Sequence, residues 1–153
     1  DMITDRSRPL KARLVAFYED YHRTVDSYEW IRVALFSALR GEPIMGRYLV
    51  LVRNRLVIPI ARELRAHYRL PDPDDVPLRA LELELVWDLH SFVIYNMIRR
   101  HVYGEDNAAS YDGGTTDAQE AAIGAYVRTF LAGARGTLKS IVLNGKNAPI
   151  NTN

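Results

Sequence analysis

The sequence contains no cysteine among its 153 residues. This absence excludes disulfide bonds, thiolate zinc sites, iron–sulfur clusters and cysteine nucleophiles. Net charge is also small, because 20 basic and 19 acidic residues give +1. The first 70 residues are more basic than the rest, but neither part has the charge density of a nucleic-acid-binding surface. With 48% hydrophobic and 25% charged residues, the composition is typical of one globular domain.

Long uninterrupted apolar runs are missing as well. The two most apolar stretches, residues 48–61 and 81–98, contain charged side chains such as Arg53 and Glu84, so we expect neither to cross a bilayer. We therefore expect a cytoplasmic protein without a membrane partner. The chain begins at Asp1 without an initiator methionine or a signal peptide, which predicts that an N-terminal part of the protein precedes it.

Side chains that could catalyse a reaction are sparse. The candidate metal ligands or acid–base groups are four histidines: His22, His67, His90 and His101. None stands in a His-Glu-x-x-His or Glu-x-x-His pattern. His90 and His101 would lie about 16 Å apart along one helix, too far to share an ion. We expect no metal, no cofactor and no enzymatic activity; a small helical enzyme is the least favoured alternative, because no titratable pair has convergent spacing.

Apolar residues recur at helical spacing through most of the chain, and no segment has the period of a strand. The pattern predicts an all-α bundle of about five helices, at residues 9–25, 26–40, 43–68, 77–103 and 115–143. Asp26 and Glu29 have capping-box spacing at the start of the second helix, and Pro59 predicts a kink in the third. We expect one ligand-binding and dimerisation domain at residues 1–143, followed by a polar tail at 144–153.

The last two predicted helices have more apolar surface than one core needs. The fourth carries two apolar stripes, one including Leu85 and Phe92 and the other including Leu83 and Trp87, which favours a second packing partner. Three glycines inside the fifth helix indicate either a close helix–helix approach or a softened helix. We predict a homodimer through these two helices, with candidate interface residues Leu83, Val86, Phe130, Ala134 and Leu138.

Polar and aromatic side chains interrupt the apolar middles of several predicted helices. Apolar walls with a few convergent polar groups are typical of small-molecule pockets, although each residue could instead be satisfied singly at the surface. We predict a cavity between the first four helices, and the candidate ligand-binding residues are Tyr18, His22, Trp30, Tyr48, Trp87, His90 and Asn96.

The order of these features resembles a known family. The segments that carry the resemblance are SRPLKARL at residues 7–14, RNRLVIPI at 53–60, ELVWDL at 84–89 and YVRTFLAGA at 126–134. Together they resemble the C-terminal regulatory domain of TetR-type (tetracycline-repressor-like) transcriptional regulators, over roughly residues 7–143. The resemblance implies an all-helical effector-binding domain whose last two helices form a four-helix bundle with those of a second copy.

The same resemblance implies a ligand-responsive repressor. A small, largely apolar or aromatic effector would lower the operator affinity of a helix-turn-helix head that precedes Asp1, so this chain would reach operator DNA only through that absent head. The alternative is a stand-alone helical binding or carrier module, which would share the composition and the pocket. About 50 upstream residues with a helix-turn-helix pattern would distinguish the two.

Overall fold

The computed structural model describes residues 2–104 and 116–144, and within these residues the chain is helical without β-strands. The helices are α1 (Leu10–Val25), α2 (Tyr28–Leu39), α3 (Ile44–Val52), α4 (Ile58–Tyr68), α5 (Ala80–His101) and α6 (Thr116–Asn144), and a π-helical segment (Arg53–Val57) joins α3 to α4. The predicted all-α bundle is confirmed. Beyond Asn144, the predicted polar tail lies outside the described residues.

Helix α5 is the element around which the others are arranged. It contacts α2, α4, the π-helical segment and α6, while α1 packs against α4 and α6. The side chains of Leu14, Val86, Leu89 and Met97 have no exposed surface and belong to one hydrophobic cluster. Burial of this cluster is the main favourable term for the fold. Because α5 contacts elements on several sides, residues only one or two positions apart on it lie in different environments.

Pro59 explains the irregular turn between α3 and α4. Proline lacks a backbone N–H, and in a regular α-helix its ring would clash with the carbonyl of the residue four positions earlier, here Arg55. The backbone around Arg55 forms the π-helical segment, and α4 starts directly after it at Ile58. The sequence predicted a kink at this place, and the structure shows a wider helical turn, which is a common way of accommodating an insertion or a proline in a helix.

The structure decides between two starts that the sequence allows for α2, Asp26 and Ser27. Ser27 is the N-cap, and its hydroxyl accepts a hydrogen bond from the backbone N–H of Trp30 at 3.1 Å. Asp26, which has capping-box spacing with Glu29, instead directs its carboxylate toward Arg100 and His101 of α5. Asp26 is therefore a tertiary contact of α5 and not the cap of α2.

Two ion pairs lie inside the bundle. Arg65 and Glu82 join α4 to α5 with side chains that have no exposed surface, and their closest N–O distance is 2.6 Å. Glu63 accepts hydrogen bonds from both Arg6 and Arg13. Burial acts to raise the pKa of the Glu63 carboxyl, but the hydrogen bonds from the two arginines outweigh it and hold that pKa below its usual value.

The glycines of α6 do not mark a close helix approach within the chain. A Cβ atom added at Gly124, Gly133 or Gly136 would meet no other atom within 4 Å. The sequence left open a close helix–helix approach or a softened helix. The close approach is therefore not found within one copy of the chain. Gly133 lies in an outer groove of the molecule, described below.

Candidate functional site

A cavity of about 390 Å³ lies between α1, α2, α3 and α5. Tyr21 of α1 lines it, together with residues from the other three helices: Trp30, Ile31, Ala34 and Leu35 of α2, Met45, Tyr48 and Leu49 of α3, and Trp87, His90, Ser91, Ile94, Tyr95 and Ile98 of α5. Among the described residues, none that lines the cavity is an Asp, Glu, Lys or Arg. Its wall is therefore aromatic and aliphatic, with a few neutral polar groups.

Helical periodicity accounts for this wall. The six lining residues of α5 follow each other at steps of three, one, three, one and three, so they occupy one face of the helix. The lining residues of α2 and α3 show the same spacing over one or two turns. Each of these helices thus lines the cavity with one face, and its remaining apolar residues lie in the core or at the surface.

Aromatic contacts fix the geometry of the polar side of the cavity. The ring of His90 lies 5.2 Å from that of Tyr21 and 5.7 Å from that of Trp87, both edge to face. Trp30 packs edge to face on Tyr48 at 5.7 Å. The hydroxyl oxygens of Tyr21 and Tyr48 are 2.6 Å apart and share a hydrogen bond. These contacts hold the imidazole and the two hydroxyls in defined positions around the space.

Burial keeps His90 neutral. Its side chain is 5% exposed, and desolvation lowers the pKa of the imidazole to about 4. Its Nδ1 atom is buried and has no hydrogen-bond partner among the described residues, and the same holds for the hydroxyl of Tyr18, whose ring lies 6.2 Å from that of His90. Unsatisfied buried polar atoms cost about 1–3 kcal/mol each, so their retention beside a cavity favours a binding role over a purely structural one.

The structure brings four of the seven predicted ligand-binding residues to this cavity: Trp30, Tyr48, Trp87 and His90. Tyr18 is fully buried behind His90 and does not line the space. His22 and Asn96 are placed elsewhere, beside a gap of about 10 Å³ that faces Ala122 and Ile123 of α6. Their placement at the ligand cavity is corrected: each is one residue, and hence about 100° of helix, away from a lining residue.

His22 and Asn96 belong to a polar cluster that fixes the end of α5. Asp26 pairs with Arg100 and with His101, whose Nε2 is 2.6 Å from the Asp26 carboxylate. His22 lies 3.5 Å from the same carboxylate, and Asn96 accepts a hydrogen bond from Arg100. His22 and Asn96, which the sequence suggested as ligand contacts, therefore belong to the polar cluster around Asp26.

Sequence reasoning missed several residues that line the cavity. Tyr21 and Tyr95 are not among the predicted residues, although Tyr95 lies four residues after Ser91 and eight after Trp87. The helical spacing between Tyr95 and Trp87, which was predicted to bind ligand, could have identified Tyr95 from the sequence. For Met45 no polar interruption marked the position, so only the packing of α3 against α2 reveals it.

A second concave surface, which we call the outer groove, lies between α5 and α6. Its volume is about 550 Å³, and its lining residues are Leu85, Asp88, Ser91, Phe92, Tyr95, Thr129, Phe130, Gly133, Ala134 and Thr137. Phe92 and Tyr95 are 51% and 53% exposed, which is unusual for two neighbouring aromatic side chains on one helix. Ser91 and Tyr95 line both the cavity and the outer groove, so α5 separates the two.

The predicted dimer-interface residues divide between this groove and the interior. Phe130 and Ala134 line the outer groove. The core of a single chain contains Ala134, which is 5% exposed although it borders the groove, and Leu83, Val86 and Leu138, which are at most 4% exposed. Their assignment to an interface is corrected, because side chains already buried in their own chain have no surface to offer a second copy.

The described residues hold no group of three or more His, Asp or Glu side chains that could bind a metal ion. None of the described helices combines the length and apolar character needed to span a membrane. Comparison with protein-family models, with curated protein sequences and with solved structures gives no match for this chain.

Proposed function

We propose that this chain is the effector-binding and dimerisation domain of a TetR-type transcriptional regulator, with a small, largely apolar or aromatic effector bound in the cavity between α1, α2, α3 and α5. The observation that carries the proposal is the cavity itself: about 390 Å³ without a charged lining residue, beside a buried histidine with an unpaired nitrogen. Pockets for small ligands have this size and this mixture of apolar walls and few polar groups.

The outer groove supports the dimerisation part of the proposal. Exposed Phe92 and Tyr95 give α5 an apolar outer face next to α6, and a second copy would remove that face from water. An effector in the cavity touches Ser91 and Tyr95, which also line the groove. If the effector prefers one position of α5, it shifts the arrangement of the two copies and weakens operator binding by a coupling of about 1–3 kcal/mol.

Ligand binding is tested with the uncharged fluorescent probe N-phenyl-1-naphthylamine. The two tryptophans of the chain, Trp30 and Trp87, both line the cavity, so a probe bound there accepts excitation energy from both. We expect saturable binding of one probe per chain, and loss of binding in Ala34→Phe, which fills the cavity from α2. The matched control is Ala38→Phe, an exposed position on the same helix, which should bind as the unaltered chain does. Equal binding by both variants would contradict the proposal.

The regulatory part is tested on the protein together with the segment encoded upstream. A helix-turn-helix pattern in about 50 upstream residues, and release of operator DNA when effector is added, are expected of a repressor. We expect the present chain alone to show no sequence-specific shift of duplex DNA at physiological salt. Probe binding without a helix-turn-helix segment upstream would favour the alternative, a stand-alone helical binding module.

A further inference from the structure

The hydroxyl pair of Tyr21 and Tyr48 has one hydrogen that the pair does not use. Each phenol carries one O–H, and one of the two hydrogens forms the 2.6 Å bond between the oxygens. Within residues 2–104 and 116–144, neither hydroxyl has a second hydrogen-bond partner. Both residues line the cavity, and burial together with the paired hydroxyl raises the pKa of Tyr21. Tyr21 therefore remains protonated at neutral pH, and the pair can donate one hydrogen bond to a bound molecule.

The other polar groups among the described lining residues would not neutralise the charge of a bound ligand. His90 is neutral, and the Ser91 hydroxyl already donates to the carbonyl of Trp87 at 2.8 Å. An anion here would lose its hydration without meeting a cationic side chain, and a cation would meet no carboxylate among the described lining residues. Removing an unpaired charge from water is far more costly than removing a neutral polar group, so the cavity discriminates against both signs.

We propose that the cavity binds an uncharged aromatic compound carrying one hydrogen-bond acceptor, such as an aryl ketone, and that the Tyr21–Tyr48 hydroxyl pair donates the hydrogen bond to that acceptor. This inference rests on the proposed ligand-binding function, since it names the class of compound that the same cavity takes. The ring of the ligand packs against the indoles of Trp30 and Trp87 and the imidazole of His90, where edge-to-face and offset contacts add to simple burial.

Four naphthalene derivatives of similar size test the inference by isothermal titration calorimetry on the unaltered chain. They are the ketone 2-acetylnaphthalene, the hydrocarbon 2-ethylnaphthalene, the anion 2-naphthoate and the cation 2-naphthyl-trimethylammonium. We expect both neutral compounds to bind, and both charged compounds to bind at least about tenfold more weakly than the ketone. Binding of either charged compound as tightly as the ketone would overturn the inference.

The hydroxyl pair is tested through the ratio of the hydrocarbon Kd to the ketone Kd, because this ratio cancels changes common to both ligands. In Tyr21→Phe and in Tyr48→Phe one hydroxyl remains, and its hydrogen is free to reach the ligand, so we expect at least one of these variants to keep the ratio. In the double variant neither phenolic hydroxyl remains, and we expect the ratio to fall about five- to tenfold, the size of one hydrogen bond. Tyr103→Phe, whose side chain is 68% exposed, is the matched control.

The outcomes separate this inference from the proposed function. If the neutral probe N-phenyl-1-naphthylamine binds but the ratio survives in the double variant, the hydroxyl pair is not the donor and only the inference fails. If neither the probe nor any of the four derivatives binds the unaltered chain, the inference and the ligand-binding function both fail. Circular dichroism of each variant checks that the helices are retained.

Discussion

Arg65 and Glu82 form an ion pair whose side chains have no exposed surface. The pair persists inside the bundle because its hydrogen-bonding capacity is fully used: Arg65 also donates to the carbonyl oxygens of Pro71, Val76 and Pro77, and Glu82 accepts from the backbone N–H of Arg79. Such a pair costs desolvation energy but holds α4, the turn after it and the start of α5 in one arrangement.

Removing one partner of this pair should be far more damaging than removing both. In Arg65→Met the Glu82 carboxylate stays buried without its counter-ion, and we expect a loss of about 3–5 kcal/mol in the free energy of unfolding. The double variant Arg65→Met, Glu82→Leu should recover part of that loss. Arg62→Met is the control on the same helix, because Arg62 and Asp74 are 49% and 79% exposed and their pair contributes less than about 1 kcal/mol. Urea denaturation measures all four proteins; equal losses for Arg65→Met and Arg62→Met would contradict the buried role.

His90 makes stability depend on pH in a defined direction. Its pKa is lowered by burial from the usual 6.5 to about 4, so the unfolded chain takes up a proton at a higher pH than the folded chain does. The contribution of neutral His90 to the free energy of unfolding is fully present above pH 6.5 and is lost as the pH falls toward 4. The groups that face it are Tyr18 and Tyr21 of α1 and Trp87 of its own helix.

We expect His90→Phe to weaken this dependence. Between pH 7 and pH 5 the unaltered chain should lose about 2 kcal/mol more unfolding free energy than the variant does. Urea denaturation at the two pH values measures the difference, with His67→Phe, at an exposed position of α4, expected to keep the behaviour of the unaltered chain. An unchanged pH dependence in His90→Phe would mean that folding does not lower the pKa of this imidazole.

At the scale of elements, α2 forms one wall of the cavity and supplies Trp30, Ile31, Ala34 and Leu35 to it. This helix has twelve residues, a length at which isolated helices are marginal in water. Its first turn is therefore held by the Ser27 cap and by the ion pairs of Asp26 with α5. Cap and cluster together place the Trp30 end of the helix over α5.

Replacing the cap should loosen this end of α2. We expect Ser27→Ala to lower the unfolding free energy by about 1 kcal/mol, because the backbone N–H of Trp30 loses its acceptor. Ser27→Asn keeps a capping oxygen and should stay within about 0.5 kcal/mol of the unaltered chain. Thermal and urea unfolding measure both variants. If Ser27→Ala and Ser27→Asn lose the same amount, the hydroxyl does not stabilise the helix.

At the scale of the whole molecule, the apolar face of α5 and α6 is one of the surfaces that a single copy leaves exposed to water, and Phe92 and Tyr95 are its exposed aromatic side chains. The cavity and the outer groove lie on adjacent faces of α5, because Ser91 and Tyr95 line both. An assembly through the groove would place two α5 helices and two α6 helices side by side. Stable dimers of this kind bury on the order of 2,000 Å².

We expect the chain to sediment as a dimer at micromolar concentration, and Phe92→Glu to convert it to a monomer by placing a carboxylate in the apolar groove. The matched control is Phe36→Glu, since Phe36 is 61% exposed on α2, away from the groove. Sedimentation equilibrium measures all three proteins. A monomeric unaltered chain, or dissociation by Phe36→Glu alone, would contradict an interface at the groove.

The sequence alone was sufficient to predict the helices and the types of residue that line the cavity. Helical periodicity depends on local spacing, so the all-α class and the irregular turn before Pro59 follow from neighbouring residues. Trp30, Tyr48, Trp87 and His90 stood out because large aromatic or polar side chains interrupt apolar stripes. The charge-free character of the cavity also follows from residue types once the lining helices are known.

Only the tertiary structure decided which face of each helix meets which neighbour. Tyr21 and Tyr48 lie 27 positions apart in the chain, yet their hydroxyls meet because α1 and α3 converge. His22, one residue from Tyr21, turns instead toward Asp26 and α6, and Val86 turns into the core while Leu85 lines the outer groove. A step of one residue rotates a side chain by about 100°, and the packing partner at each angle is fixed by contacts between helices distant in sequence.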